Sequence, residues 1–383
     1  MRVLFAFGTR PEAIKMAPVV LAMRADGRFE PIVCLTGQHR EMLDAALAIF
    51  HIEPDINLAL MRPDQTVNQV ISGVFDKLDP ILFDVKPDYV LVQGDTATSM
   101  AAAVTAFMRG IRVGHVEAGL RTGNLSSPWP EEANRRLTAV VTSRHFAPTP
   151  RAGDALIKEG HPPQSIVVTG NTVIDALEIV RHQVAADGPL RRSLEQEFCW
   201  LGANRRMILV TGHRRESFGS GLRSMCLAMR DIASRDDVEI VYPVHLNPNV
   251  RAPVNEILTG CPRVHLMEPL DYRRFVYLMT RCHFILTDSG GIQEEAPYLG
   301  KPVLVMRDTS ERMEAVEAGV ARLVTNDRQK IFVNARELLD SPASYAAMAN
   351  GASPFGDGRA SQRILANLAS EQPRDASRPS NRA

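Results

Sequence analysis

The sequence predicts a parallel α/β protein built from two consecutive domains. Its 383 residues exceed what one hydrophobic core usually serves. Its 45% hydrophobic and 23% charged residues are those of an ordinary globular chain, which excludes disordered, collagenous and coiled-coil architectures. Short apolar runs fall into two series, alternating with amphipathic stretches. Each run is continuously apolar rather than alternating, as in strands covered on both faces.

The first series comprises Val3–Phe7, Pro31–Leu35, Tyr89–Gln93, Val113–Val116 and Ile166–Thr169. The pattern restarts with Met207–Thr211, Val238–Val244, Val264–Met267, Phe284–Thr287 and Pro302–Met306. Between the series, Ala185–Arg206 is charged, weakly patterned and interrupted by Gly188, Pro189 and Gly202, so a boundary is expected there. Ile364, Leu365 and Leu368 recur at helical spacing within Ala360–Ala369, which predicts a final packed helix. The QPRDASRPSNRA terminus cannot repay the entropy of ordering, and a disordered tail is expected over 371–383.

Lys plus Arg (44) balance Asp plus Glu (44), leaving no net field to gather polyanions and arguing against general nucleic-acid binding. Cys34, Cys199, Cys226, Cys261 and Cys282 are odd in number and lack a C-x-x-C pair. That spacing argues against a disulfide framework and a zinc site and suits a reducing cytoplasm. The opening MRVLFAFGTRPEAIK has no long apolar signal-peptide core, and no run reaches the roughly 18 apolar residues of a membrane span, so a cytoplasmic protein is expected. No G-x-G-x-x-G, Walker or Tyr-x-x-x-Lys motif is present, which argues against a tightly bound nicotinamide and P-loop ATP hydrolysis.

Four segments carry candidate chemistry. In Phe284–Glu295 an apolar strand runs into Ser289-Gly290-Gly291 and a helix; two glycines and free helix N–H groups suit a pyrophosphate, and Glu295 suits ribose hydroxyls. The same turn is equally read as a tight strand-to-helix connection. After the first strand, Thr9 and Glu12 fit a capping box, which leaves Arg10 and Lys15 as either cleft cations or solvated surface. Asp95 and Glu117 follow apolar strands, where open parallel sheets bind ligands, and with Glu131 form a plausible acid/base set. Glu131 is alternatively a helix-start acid favoured by the macrodipole. His213 with Arg214 and Arg215 forms an electropositive cluster at a strand end, and His245 follows the next strand. Each histidine is alternatively a hydrogen-bonded loop residue, and neither has the spacing of a metal ligand pair.

FGTRPEAIKMAP, QHREML, GDTATS, GHVEAGLRTG, SPWPEEANRR, TGNTVIDAL, VTGHRRESFG, VYPVHLNPNV, LTDSGGIQEEAP and GKPVLVMRDTSER together resemble the bacterial non-hydrolysing UDP-N-acetylglucosamine 2-epimerases, from Met1 to about residue 370. The resemblance implies the glycosyltransferase-B fold, with two Rossmann-like domains facing a cleft and a C-terminal helix returning to the first. It places the N-terminal domain at 1–172 with 355–370, and the UDP-binding domain at 173–354. It implies Arg10, Lys15, Asp95, Glu117 and His213 on the sugar and phosphate side, and Phe275, Ser289, Gly290, Gly291, Glu295 and Arg312 around uridine and diphosphate. Gln93 and Leu270 depart from the usual His and Gln.

The implied reaction interconverts UDP-GlcNAc and UDP-ManNAc without a cofactor. UDP leaves by anti elimination to 2-acetamidoglucal and adds back with protonation of the opposite C2 face. Asp95, Glu117 and Glu131 serve the proton traffic, and His213 with the cations stabilises the leaving diphosphate. A homodimer supplying surface polysaccharide synthesis is implied, as is an activating second UDP-GlcNAc near Gln38, Glu131, Arg214 and His245, although Glu41 departs from that pattern. The rival readings are a retaining glycosyltransferase of the same fold, a hydrolysing epimerase and a catalytically silent nucleotide-sugar sensor.

Overall fold

In the computed structural model, which describes residues 1–37, 40–62, 65–202 and 204–371, the chain forms two α/β units. Among the described residues, the first comprises Met1–Glu178 with Phe355–Glu371, and the second Ile179–Pro354.

The first unit holds β1 (Arg2–Phe7), β2 (Glu30–Leu35), β3 (Ile56–Asn57), β4 (Tyr89–Gln93), β5 (Arg112–Val116), β6 (Arg144–Ala147) and β7 (Ile166–Val168). They pair in parallel in the order β3-β2-β1-β4-β5-β6-β7. In the second unit, β8 (Arg206–Thr211), β9 (Val238–Pro243), β10 (Val264–Met267), β11 (Phe284–Thr287), β12 (Val303–Val305) and β13 (Ala321–Leu323) run β10-β9-β8-β11-β12-β13, again parallel. The order switches direction between β1 and β4 and between β8 and β11. Ligands of open α/β sheets bind beyond the strand ends at such points. The continuous apolar runs have the physical cause expected of them: Val3–Phe7, Val90–Val92 and Ile208–Val210 are fully buried beneath helices on both faces.

Helix Arg10–Ala25 buries most of its circumference and packs against the terminal helix Ala360–Ala369. Asp175 accepts the first N–H groups of that terminal helix, from Ala360 at 3.1 Å and Ser361 at 2.8 Å. The Asn171 N–H donates to the Phe355 carbonyl at 2.7 Å. Beside it Gly170 (φ 86°) and Gly356 (φ 118°) cross so closely that a Cβ on Gly170 would lie 3.2 Å from the Gly356 Cα.

Two stretches singled out in the sequence take definite form. The stretch Ala185–Arg206 is largely helical: Thr172–Ala186 is one helix and Gly188–Glu197 another, the latter capped by Asp187, which accepts the Leu190 N–H at 3.0 Å. The division between the units falls at Glu178–Ile179 inside the first of these helices, between the bound at residue 172 and the stretch Ala185–Arg206. Glu371, assigned to a disordered tail, is anchored. It accepts the Tyr89 hydroxyl at 2.5 Å, Arg112 Nη1 at 2.9 Å and Arg144 Nε. Residues 372–383 lie outside the described residues.

All five cysteines are free thiols. No helix among the described residues is long and apolar enough to cross a membrane.

Candidate active site

In the first unit the chain leaves β1 through Gly8 and Thr9 into a helix whose early Pro11 is pre-set for helix entry. The buried Glu12 carboxylate accepts the N–H groups of Gly8 at 3.0 Å and Thr9 at 2.8 Å, and the Thr96 hydroxyl at 2.7 Å. One acid therefore ties the turn after β1 to the turn after β4. Burial pushes the Glu12 carboxyl up from its ordinary value, opposed by the Thr96 and backbone hydrogen bonds. Arg10 is the first residue of the helix and half-buried.

Lys15 reaches from the second turn of this helix to Glu117, and its Nζ donates to Glu117 Oε2. Their side chains are 10% and 7% exposed, so the pair is largely shielded from water. Asn171 Nδ2 donates to the same oxygen at 3.0 Å. Glu117 itself adopts φ 63°, a left-handed conformation uncommon outside glycine, which turns the chain at the end of β5.

Asp95 lies just beyond β4. Arg135 Nε and Nη2 approach its Oδ2 at 2.9 and 2.6 Å, while Asn134 Nδ2 donates to its backbone carbonyl at 3.0 Å. Arg135 Nη1 also donates to the fully buried Glu132 at 3.3 Å, and Glu132 accepts the Thr122 N–H at 3.1 Å and the Gly123 N–H at 3.3 Å. A continuous network thus runs from the loop after β5, through Glu132 and Arg135, to Asp95. Glu131 opens helix Glu131–Val141, as the helix-start reading expects, but its Oε2 is buried and accepts no hydrogen bond among the described residues. Beneath, His115 Nε2 donates to the Gly94 carbonyl at 2.7 Å, and burial lowers the imidazole to about 4.

In the second unit, His213 and Arg214 follow β8, and both backbone N–H groups donate to Asp288 Oδ2, at 2.7 and 2.8 Å. The His213 ring stacks on His245 with centroids 5.3 Å apart. Burial lowers the His213 imidazole, with Asp288 opposing and His245 and Arg214 reinforcing the shift. After β11, Ser289 occupies the N-cap of helix Gly290–Tyr298 without a side-chain capping bond, and its N–H donates to Thr287 Oγ1 at 2.9 Å. A Cβ on Gly290 would lie 3.0 Å from Arg312 Cζ, so glycine is what admits the guanidinium against the helix start. Gly291 is under no such restraint, its imagined Cβ being 3.7 Å from Glu295 Oε2.

Arg312 Nε donates to the buried Glu294 at 2.9 Å. Arg307 binds Glu216 at 2.5 Å and Glu311 at 3.1 Å. Burial pushes the Glu311 carboxyl up, but Arg312 and Arg307 outweigh it and hold the group at about 2. Glu295 is buried and accepts the Tyr272 hydroxyl at 2.5 Å; Phe275 is half-buried on the same helix, Tyr272–Arg281. Gln38 lies outside the described residues. A cavity of 740 Å³ bordered by Arg24, Asp44, His51 and Asp55 contains none of the predicted residues.

The sequence profile of the UDP-N-acetylglucosamine 2-epimerases matches residues 21–369. The chain belongs to the UDP-N-acetylglucosamine 2-epimerase family. The UDP-N-acetylglucosamine 2-epimerase of Escherichia coli K12 is 54% identical over 369 residues, 96% of this chain and 98% of its own. That of Yersinia pestis is 53% identical over 373 residues, 97% of this chain and 99% of its own. Among solved structures, the Neisseria meningitidis UDP-GlcNAc 2-epimerase bound to UDP-GlcNAc aligns with TM-score 0.93 and 48% identity, covering 97% of this chain and 100% of that one. The Methanocaldococcus jannaschii enzyme in complex with UDP-GlcNAc and UDP aligns with TM-score 0.82 and 30% identity, covering 97% and 100%.

Two Rossmann-like α/β units of glycosyltransferase-B type, with the terminal helix packed on the first, are accordingly the fold of this epimerase-family chain. Within that fold the geometry adds residues that sequence reading passed over. Arg135 pairs with Asp95, Asn171 with Glu117, Asp288 with the His213–Arg214 turn, and Tyr272 with Glu295. Arg135, Asn171 and Asp288 lie inside the quoted runs SPWPEEANRR, TGNTVIDAL and LTDSGGIQEEAP, but no role had been assigned to them, and Tyr272 lies outside every quoted run.

Proposed function

We propose that the protein is a non-hydrolysing isomerase that interconverts UDP-GlcNAc and UDP-ManNAc at C2. One structural observation carries the reading: Asp95 and Glu117, at the carboxyl ends of neighbouring parallel strands, are each held by a cation and an amide or guanidinium network. Full-length similarity to proteins named for this reaction supports it.

The C2–H bond of an N-acetylhexosamine is a poor acid, and expulsion of UDP from C1 makes the anomeric centre electron-poor. Anti elimination to 2-acetamidoglucal, followed by re-addition of UDP and protonation of the opposite face, needs two proton-transfer positions. Asp95, Glu117 and Glu131 supply them. Arg10, His213 and the N–H groups of the Ser289-Gly290-Gly291 turn stabilise the departing diphosphate. Phe275, Glu295 and Arg312 belong to the nucleotide side. No nicotinamide or metal enters this chemistry, so activity is expected to survive exhaustive EDTA treatment and to need no added NAD.

The same reading places the enzyme in the cytoplasm, feeding surface polysaccharide synthesis. It also makes the enzyme a homodimer. Helices Val67–Val85, Ala97–Met108 and Glu131–Val141 pack side by side and expose Phe83, Phe107, Met108 and Val140, an apolar face suited to a second copy; sedimentation at the monomer mass would count against it. An activating second UDP-GlcNAc would give sigmoidal rates.

Epimerisation in D2O tests the central step. Deuterium is expected at C2 of UDP-ManNAc and, on prolonged incubation, at C2 of UDP-GlcNAc. Product without C2 label would remove the elimination mechanism, free ManNAc would indicate hydrolysis, and no turnover of UDP-GlcNAc alone would favour a transferase or a sensor.

A further inference from the structure

Asp288 is fully buried at the end of β11 and spends one oxygen on the backbone of another strand end. Its Oδ2 accepts the N–H groups of His213 at 2.7 Å and Arg214 at 2.8 Å. Its Oδ1, also buried, accepts no hydrogen bond among the described residues and lies 3.6 Å from His213 Nδ1. That separation is a few tenths of an ångström beyond hydrogen-bond range, a gap that a small rotation of the imidazole closes. A buried carboxylate oxygen left open toward a ring nitrogen is costly unless the ring supplies a proton. The backbone clamp and the open oxygen together fix where the ring sits and which nitrogen faces the acid.

We propose that Asp288 is a positioning residue for His213, holding the imidazole in the Nδ1–H tautomer so that Nε2 is the nitrogen presented to ligand and the ring can carry positive charge when the diphosphate departs. The proposal rests on the reading that His213 faces the diphosphate. The physical logic is that of a carboxylate behind a catalytic histidine, which selects the tautomer and stabilises the imidazolium without itself taking the proton. With a second proton taken from solvent before UDP departs, the ring is an imidazolium whose Nε2–H donates a hydrogen bond to a phosphate oxygen as negative charge builds there, while Asp288 faces Nδ1–H and compensates the ring's charge. The other charged or titratable groups facing the ring are His245, stacked on it from the loop after β9, and Arg214, its chain neighbour; both disfavour the imidazolium, so the positive form depends on Asp288. The position immediately before Ser289-Gly290-Gly291 gives β11 two tasks, aiming helix N–H groups at an anion and orienting the histidine that meets it.

The test uses the full-length protein labelled with 15N-histidine, with His213 assigned by loss of its signals in His213→Asn. In the unsubstituted protein the long-range 1H–15N spectrum should show neutral His213 protonated on Nδ1. In Asp288→Asn the His213 titration midpoint should fall by about one pH unit or more, because an adjacent negative charge has been lost. With that variant, kcat should drop by at least about tenfold with KM for UDP-GlcNAc changed far less, and the alkaline limb of the kcat profile should move to lower pH. A merely structural role would lower activity without moving that limb. Protonation on Nε2 in the unsubstituted protein, or an unmoved midpoint in Asp288→Asn, overturns the proposal. If Asp288→Asn does not fold, the tautomer in the unsubstituted protein decides alone. The expected tautomer in a protein that fails to label C2 would leave the dyad standing and remove the epimerase reading.

Discussion

Replacing Lys15 by Met isolates the electrostatic part of the Glu117 site, since the thioether retains most of the lysine stem while the ammonium disappears. Both side chains are nearly out of solvent, at 10% and 7% exposure, so water replaces the lost cation poorly. Asn171 still donates to Glu117 Oε2 at 3.0 Å, a neutral hydrogen bond that does not replace the charge of the ammonium. A cation in contact lowers a carboxyl pKa by about 1–3 units, and at about 1.4 kcal/mol per unit the ionised form of Glu117 loses roughly 1.4–4 kcal/mol. The sign follows directly. Without Lys15, Glu117 holds its proton to higher pH, so the acid limb of C2 exchange moves upward by about 1–3 units. Asn171→Ala should move the limb in the same direction by less than about one unit, the worth of a neutral hydrogen bond. The assay is the initial rate of deuterium entry at C2 of UDP-GlcNAc, followed by proton NMR across the pH range. A rate that falls by the same factor at every pH, with the limb unmoved, would mean that Lys15 acts on the diphosphate and does not tune Glu117.

Two further outcomes follow from other parts of the fold. Glu295→Ala should weaken UDP binding by about tenfold or more in calorimetry, and Tyr272→Phe, which removes the 2.5 Å donor to Glu295, by a few-fold; unchanged affinity in Glu295→Ala would take that acid out of the nucleotide site. His115 is held from 6.5 down to about 4, so the unfolded chain binds its proton first; the stability present above pH 6.5 is lost as pH falls toward 4, by roughly 3 kcal/mol. Urea unfolding at neutral and acid pH should therefore show His115→Gln losing less stability than the parent, and parallel losses in the two proteins would contradict this.

How far the sequence could be read depended on whether a residue's partner was near it in the chain. Strands β1, β4, β8 and β11 were legible because an uninterrupted apolar run needs no partner to announce itself. Strands β3, β6 and β13 were not. Ile56–Asn57 and Ala321–Leu323 are short edge strands, and Arg144–Ala147 carries an arginine and a fully buried histidine in four residues. Arg144 is tolerated there because Glu371, 227 residues away, accepts from it. Its neighbour His145 is pushed down to about 3 by burial and therefore sits neutral in the core. The site behaves in the same way. Asp95 and Glu117 were visible as acids at strand ends, but Arg135, Asn171 and Asp288 became visible only when the fold closed sequence gaps of 40, 54 and 75 residues.

Those distant partners also answer an electrostatic difficulty in the proposed reaction. A nucleoside diphosphate is an anion, and carboxylates gathered to move protons repel it. Arg135 on Asp95 and Lys15 on Glu117 compensate both acids from other elements, so proton-transfer groups need not oppose the ligand's charge. In the second unit Arg307 and Arg312 are committed to Glu216, Glu311 and Glu294. In the proposed reaction, attraction for phosphate there comes from backbone N–H groups at the start of helix Gly290–Tyr298 and from a histidine whose charge depends on its partner. Both the fixed N–H dipoles and a histidine already protonated then meet a leaving group whose negative charge grows as it departs, and interactions that strengthen with that charge are what lower the barrier.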